Sequence, residues 1–304
     1  MKVAKSVHEL IGNTPLVELT AFDLPKGVRL FAKLEYFNPG GSVKDRLGAY
    51  LIERAFQEGR LKRGGTIIEP TAGNTGIGLA LAAIRYGVHA VFVVPEKFSV
   101  EKQTLMRALG AEVVNTPTAL GMAGAIAEAK KLTAETPNAY FSGQFENPSN
   151  PETYYKTLGP EIWEALDGHI DVFVAGAGSG GTFMGTARYL KEKNPALKAA
   201  IVEPEGSILN GGEPHSHRTE GIGMEFLPPF MDRTFFDAIH TIPDDAAFKR
   251  LAEAARLEGL LIGSSSGAAL EASLREAKQA KPGTHIVTIF PDSSERYLSR
   301  SIYS

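Results

Sequence analysis

The 304-residue sequence contains no cysteine. Disulfides, thiolate metal sites and a cysteine nucleophile of the chain's own are therefore excluded. Tryptophan is nearly absent as well, with Trp163 alone, and its place on an apolar helical face reads as core. Excess charge of one sign is missing: 32 basic and 35 acidic residues leave a net charge of −3. No basic field is present to hold nucleic acid or an anionic membrane. Apolar runs stay far below the ~18–20 residues of a membrane helix, and the longest, around residues 91–94, is strand-sized. The opening stretch MKVAKSVHELIGNTP lacks the apolar core of a secretory signal, so a cytoplasmic location is expected.

What is present is the pattern of a two-domain α/β protein. Short apolar runs at 29–35, 66–69, 90–94, 112–114, 171–175, 199–203, 239–242, 260–262 and 285–290 read as strands. Segments of helical period lie at 44–58, 74–85, 100–109, 121–133, 160–166, 182–193, 244–258 and 267–278. Gly59, Gly87, Gly110 and Gly259 punctuate helix ends, and Ser99 and Asp244 are placed to cap helix starts. Many of the strands are continuous Val/Ile/Phe rather than alternating, the mark of a parallel sheet covered on both faces and hence of a doubly wound fold. The turn-rich stretch SGQFENPSNP at 142–151 is the best domain boundary.

Ligands of doubly wound folds bind where strand ends meet helix starts, and four such junctions are rich in Gly, Ser, Thr and Asn. The first, NPGGSVKDR, puts Lys44 in the first turn of a helix. The positive helix start and burial would both favour its neutral amine, the form that Schiff-base chemistry needs. A solvated lysine paired with Asp45 is the plainer alternative. The second, EPTAGNTG, offers amides, hydroxyls and an asparagine that could grip a carboxylate, or could simply cap a turn. The third, GAGSGGT at 176–182, has the glycines and the following helix of a phosphate cup. The fourth, GSSSG at 263–267, could contact a ligand or only cap its helix.

Gly176, Gly178 and Gly181 also match G-x-G-x-x-G, and Glu203 ends the next predicted strand as a ribose-binding acid would. An NAD-dependent dehydrogenase is the resulting alternative. It leaves Lys44, the asparagine loop and the serine loop without work, and Glu203 lies farther on than the usual ~20 residues. A ligand-binding protein without catalysis is a second alternative, against which Lys44 itself counts.

Taken in order, GGSVKDR, EPTAGNTGIGLA, QFENPSNP, GAGSGGT, EGIGMEFLPP and GSSSGAA resemble the cysteine synthase/cystathionine β-synthase family. These are pyridoxal 5′-phosphate enzymes of the tryptophan synthase β-subunit fold (fold type II). The resemblance runs from the IGNTPL motif at 11–16 to Pro291-Asp292-Ser293. It implies two doubly wound domains with mostly parallel sheets: a larger cofactor-binding domain of residues 1–40 and 149–304, and a smaller mobile substrate domain of residues 41–148. It implies Lys44 as the Schiff-base lysine and the base at the substrate's α-carbon, and Asn74 at the cofactor's ring hydroxyl. Gly178, Ser179, Gly180, Gly181 and Thr182 would hold the phosphate, and Ser265 would face the pyridine nitrogen. Thr71, Ala72, Gly73, Asn74, Thr75 and Gln144 would receive the substrate carboxylate, with Gly221 and Glu225 also on the substrate side.

The implied activity is β-replacement on O-acetylserine or serine through an aminoacrylate, with amino-acid and thiol substrates and a homodimeric assembly. A serine facing the pyridine keeps the ring a weaker electron sink than an aspartate would, which favours prompt loss of the β-leaving group. The segments PEKFSVEK and GIGMEF look closer to the cystathionine β-synthase branch, making homocysteine the expected thiol and sulfide, as in cysteine synthases, the alternative. Glu220 and Glu225 could offer charge to homocysteine's ammonium. Two positions depart from relatives: Ala72, where many have serine, and Tyr154, often histidine. No haem segment and no metal site are expected; His215 and His217 lack a third ligand and read as a surface loop.

Overall fold

Continuous apolar runs become strands covered on both faces, and the segments of helical period between them supply the covering layers. The computed structural model describes residues 3–71 and 73–303. In chain order the strands are β1 (Leu16–Glu18), β2 (Arg29–Leu34), β3 (Thr66–Pro70), β4 (His89–Pro95), β5 (Glu112–Thr116), β6 (Ala139–Phe141), β7 (Val172–Gly176), β8 (Lys198–Pro204), β9 (Ala238–Ile242) and β10 (His285–Phe290). The helices are α1 (Lys44–Gln57), α2 (Asn74–Tyr86), α3 (Val100–Ala108), α4 (Gly121–Glu135), α5 (Ser149–Lys156), α6 (Leu158–Ala165), α7 (Gly181–Lys193), α8 (Asp244–Glu258) and α9 (Ser264–Gln279).

The chain separates into two units, one of Asn38–Ser149 with the segment through Ile11, the other of Gly12–Phe37 and Asn150–Ser304. The segment before Gly12, expected with the larger unit, groups with the smaller one. Its anchor is local: His8 bonds the Leu81 carbonyl at 3.0 Å and stands edge-on to Tyr86, both on α2.

The smaller unit has a parallel sheet of order β5-β4-β3-β6. Ala125 and Ala129 of α4 pack on Ile68 and Val93 of that sheet. The larger unit has the order β1-β2-β10-β7-β8-β9, parallel except where β1 meets β2. Its core joins Leu30, Val174, Val202 and Ile286 of the strands to Leu251 of α8 and Leu270 of α9. Both sheets are doubly wound in order, as strand composition indicated.

Several local expectations are corrected. Residues 260–262 form only an isolated bridge, Ile262 to Ser293, instead of a strand. Strands β1 and β6 have three residues each, too few for a period to show. Helix α5 was hidden by its polar sequence SNPETYYK, whose Pro151 sits in the first turn, where no amide partner is needed. Ser99 does cap α3, accepting the Lys102 amide at 3.2 Å. Asp244 does not cap α8; its carboxylate accepts the amides of Arg218 and Thr219 and the Thr219 hydroxyl. Trp163 is half-buried, its ring laid over Gly168 rather than in the core.

Helices α1 and α2 cross closely because Gly48 and Gly78 lack side chains. A Cβ on Gly48 would overlap the Gly78 carbonyl, and one on Gly78 would overlap the carbonyl of Lys44. Gly78→Ala should therefore force the helices apart and destabilise the protein by ~1–3 kcal/mol or more. The urea midpoint reads this directly, with an unchanged m-value if the fold itself survives.

Candidate active site

In the smaller unit the chain turns at 38–41, with the Gly41 amide on the Asn38 carbonyl at 2.7 Å, and enters α1 at Lys44. Asp45, the partner that the plainer alternative gave Lys44, is fully buried, and its carboxylate takes the Gly40 amide. Ser42 Oγ accepts the Lys44 amide at 3.3 Å. By surface area Lys44 is only half-buried. The protein packed around its amine nevertheless strips hydration from the charged form and lowers its pKa to about 8.

The asparagine loop leads from β3 into α2. Thr71 Oγ1 accepts the amides of Gly73 and Gly76 at 3.0 and 3.3 Å, folding the loop around its hydroxyl. Gly73 holds φ at 145°, and the aliphatic stem of Lys102 fills the space a Cβ would need there. Asn74 opens α2 half-buried. Thr75 donates to Gln144 Oε1 at 2.8 Å, and Gln144 Nε2 donates to the Pro70 carbonyl at 3.3 Å. Ala72 lies outside the described residues. The smaller unit thus gathers Lys44, Thr71, Gly73, Asn74, Thr75 and Gln144, since Gly78 on α2 abuts the Lys44 backbone.

A second cluster forms in the larger unit. The loop after β7 reaches α7 through Gly180, whose φ is 84°; α7 has no side-chain cap and no acidic residue in its first turn. That bare, positive helix start suits an anion. Gly178 passes so close to the Gly221 carbonyl that a Cβ would overlap it. At Gly180 a Cβ would strike Met231, so the floor behind this glycine is apolar. Ser179 Oγ receives Asn150 Nδ2 at 3.0 Å, while Gly181 and Thr182 begin α7.

Helix α9 opens with Ser264, Ser265 and Ser266 after Gly263, again with no side-chain cap. The segment 220–224 links this serine turn to the glycine loop: the Glu220 amide donates to Ser264 Oγ at 3.0 Å, and the Gly223 amide donates to the Ala177 carbonyl at 2.9 Å. Ser265 Oγ lies 3.8 Å from where a Gly221 Cβ would stand. The larger unit therefore gathers Gly178, Ser179, Gly180, Gly181, Thr182, Gly221 and Ser265. Glu225 is exposed at the edge of the same segment.

Glu203 is not a ribose acid. It is fully buried and accepts the amides of Leu209 and Asn210 and the hydroxyl of Thr241. The dehydrogenase alternative loses its acid to the wall of a turn. Among the described residues no cluster of three His, Asp or Glu side chains is placed to hold a metal. Tyr154 is fully buried.

Sequence reasoning missed Glu69. Its buried carboxylate takes the Ser142 hydroxyl and the amides of Gly143 and Gln144. The available signal was an acid at the end of the apolar strand TIIEP.

Each unit, taken by itself, has chemistry that suits pyridoxal phosphate. In the smaller, a lysine with its amine tuned towards neutrality is the kind of donor an aldehyde requires. In the larger, glycines with no room for Cβ precede an uncapped, acid-free helix start suited to a phosphate.

Residues 7–292 match the family described as pyridoxal-phosphate dependent enzyme. An O-acetylserine dependent cystathionine beta-synthase of Bacillus subtilis is 64% identical over 303 residues, 100% of this chain and 99% of its own length. A cysteine synthase of Helicobacter pylori is 54% identical over 305 residues, 100% of each chain. The crystal structure of an O-acetylserine dependent cystathionine beta-synthase from Helicobacter pylori has a TM-score of 0.98 at 54% identity, again over 100% of both chains.

With a pKa of about 8, roughly a tenth of Lys44 is neutral at pH 7, against on the order of 0.03% for a solvated lysine. In cofactor-free protein, borohydride trapping of added pyridoxal phosphate on Lys44 should rise with pH around a midpoint near 8. Peptide mapping locates the adduct, and a midpoint near 10.5 would show an ordinary solvated amine.

Proposed function

Because the chain belongs to the pyridoxal-phosphate dependent enzymes, in the group of cystathionine β-synthases and cysteine synthases, we propose that it joins the β-carbon of O-acetylserine or serine to homocysteine, giving cystathionine. The observation that carries this choice of thiol is the Bacillus subtilis relative, alike over the whole length of both chains. In that reaction the Cβ–O bond breaks, acetate or water leaves, and the homocysteine sulfur forms the new Cβ–S bond. The α-proton is lost and regained, so no oxidant or reductant is needed. Bound pyridoxal phosphate supplies an electron sink next to the α-carbon.

The chain's own residues do the rest. Lys44 would hold the cofactor, and its amine, with a pKa of about 8, would be the base that takes the substrate's α-proton near neutral pH. Asn74 would donate to the ring hydroxyl. The amides and hydroxyls of Gly178, Ser179, Gly180, Gly181 and Thr182 would hold the phosphate. Ser265 offers a neutral hydroxyl to the pyridine nitrogen, which leaves the ring less electron-withdrawing than an aspartate partner would. Thr71, Gly73, Asn74, Thr75 and Gln144 receive the α-carboxylate, with position 72 lacking the hydroxyl found in many relatives. The smaller unit is the mobile, substrate-binding one, and its motion would exclude water from the bound amino acid. The working form is a cytoplasmic homodimer.

The Helicobacter pylori cysteine synthase favours a second reading, in which sulfide is the thiol. Purified enzyme offered O-acetylserine or serine, each with homocysteine or sulfide, separates the two by product mass. Cystathionine should dominate with homocysteine at equal thiol concentrations, and cysteine alone would replace the first reading with the second.

Glu225 distinguishes the thiols further. Homocysteine carries an ammonium that sulfide lacks, and Glu225 is exposed on the glycine-rich segment that also holds Gly221. A contact there is a solvated ion pair worth ~0.2–1 kcal/mol, a few-fold in affinity. Glu225→Ala should therefore raise the KM for homocysteine a few-fold while sulfide use stays as it was; equal effects on both thiols would remove Glu225 from the site.

A further inference from the structure

Glu69 is the penultimate residue of strand β3, at the entrance to the asparagine loop, and has no part in the chemistry just described. It follows two isoleucines into a fully buried place. A carboxylate there lacks water, so its donors must come from the protein. They come from one turn: the Ser142 hydroxyl at 2.6 Å, the Gly143 amide at 2.7 Å and the Gln144 amide at 3.2 Å. Gly143 takes φ 61°, which lets the two successive amides converge on one anion. The turn follows β6, the neighbour of β3 in the sheet.

What this turn holds is part of the loop. Gln144 takes the Thr75 hydroxyl at 2.8 Å and donates to the Pro70 carbonyl at 3.3 Å, so Glu69, Gln144 and Thr75 form one buried chain of hydrogen bonds. We propose that the ionised Glu69 carboxylate is a positioning residue, orienting Gln144 and Thr75 to receive the α-carboxylate of the first amino-acid substrate, and that its protonation loosens this receptor. The proposal rests on the reading that Thr75 and Gln144 bind that carboxylate.

The electrostatics support it. The groups acting on Glu69 are neutral donors, and burial outweighs them, pushing its pKa up to about 7. A titratable group facing it is Tyr140 on β6, whose phenol is pushed up by burial and, in smaller measure, by Glu58 and Glu69, against the Arg60 guanidinium that lies over its ring and the Asn147 amide that bonds it. A protonated carboxyl brings its own donor and can no longer serve all three incoming ones. Substrate binding should thus be intact above pH 7 and weaken below it. Stability runs the other way. A folded-state pKa raised from 4.5 to about 7 contributes stability that is fully present below 4.5 and lost as pH rises through 7. The ionised form is held against the preference of the fold, as a group kept for function would be.

The experiment uses holoenzyme and O-acetyl-L-serine from pH 6 to 8.5. In the wild type the KM should rise as pH falls through about 7, with kcat changing less. Glu69→Gln, which cannot ionise and turns one amide hydrogen towards a backbone donor, should raise the KM at pH 8 by about tenfold and abolish the inflection. Ser142→Ala removes one donor that favours the anion, so it should move the inflection to higher pH, and it serves if Glu69→Gln fails to fold. In cofactor-free protein, Glu69→Gln should speed hydrogen exchange at the Gly143 and Gln144 amides. Its Tm relative to wild type should climb between pH 6 and 8. The same KM and the same inflection in Glu69→Gln, or an unmoved inflection in Ser142→Ala, would overturn the proposal. A wild type whose cofactor absorbance does not respond to O-acetyl-L-serine at any pH would overturn the underlying β-replacement reading, and this proposal with it.

Discussion

The close crossing of α1 and α2 is the contact on which the smaller unit's chemistry depends. Gly48 and Gly78 meet backbone to backbone, and Gly78 also abuts the carbonyl of Lys44. No other residue fits at either point, because even a methyl group would overlap main chain. Two helix starts that come from separate βα junctions are thereby brought side by side, one carrying the lysine and the other the asparagine loop. Position of a reactive amine is here decided by two absent side chains.

The same economy recurs in the larger unit. Helices α7 and α9 begin with small residues and no side-chain cap, so no side-chain oxygen of the cap residue takes up their first amides. Glycines in the preceding loop admit close approach, and the segment 220–224 ties the two helix starts together through the Glu220 and Gly223 amides. Neutral donors and partial charges dominate this cluster. Such groups bind an anion without the desolvation cost of burying a lysine or arginine beside it.

Burial sets the electrostatic character of the smaller unit. It moves two groups of opposite type towards neutrality, lowering Lys44 to about 8 and raising Glu69 to about 7. Desolvation is the largest cause in both, since each loses more hydration than its partners restore. The lysine so treated becomes a usable nucleophile and base. The acid becomes an anchor whose hold on Gln144 depends on its charge. Both are reserves of free energy held where the chain does its work rather than where it is most stable.

Much was legible in the residues alone. Strand composition gave parallel sheets, glycine and serine clusters marked the helix starts, and Lys44 stood out by its place after a glycine turn; these are local properties, set by period, turn chemistry and backbone freedom. The missing short strands β1 and β6 carry too few residues for a pattern and exist because longer neighbours pair with them. The roles of acids were not legible, because a carboxylate's partners lie far along the chain. Glu203 looked like a ribose ligand and is sealed by Leu209, Asn210 and Thr241; Asp244 looked like a cap and instead ties down residues 218–219. Glu69 drew no notice and proved to hold a turn 73–75 residues downstream. Sequence by itself determined which backbone segments could form a site; tertiary structure decided which buried charges serve it, because a charge in a low-dielectric interior takes its meaning from donors that only folding brings within reach.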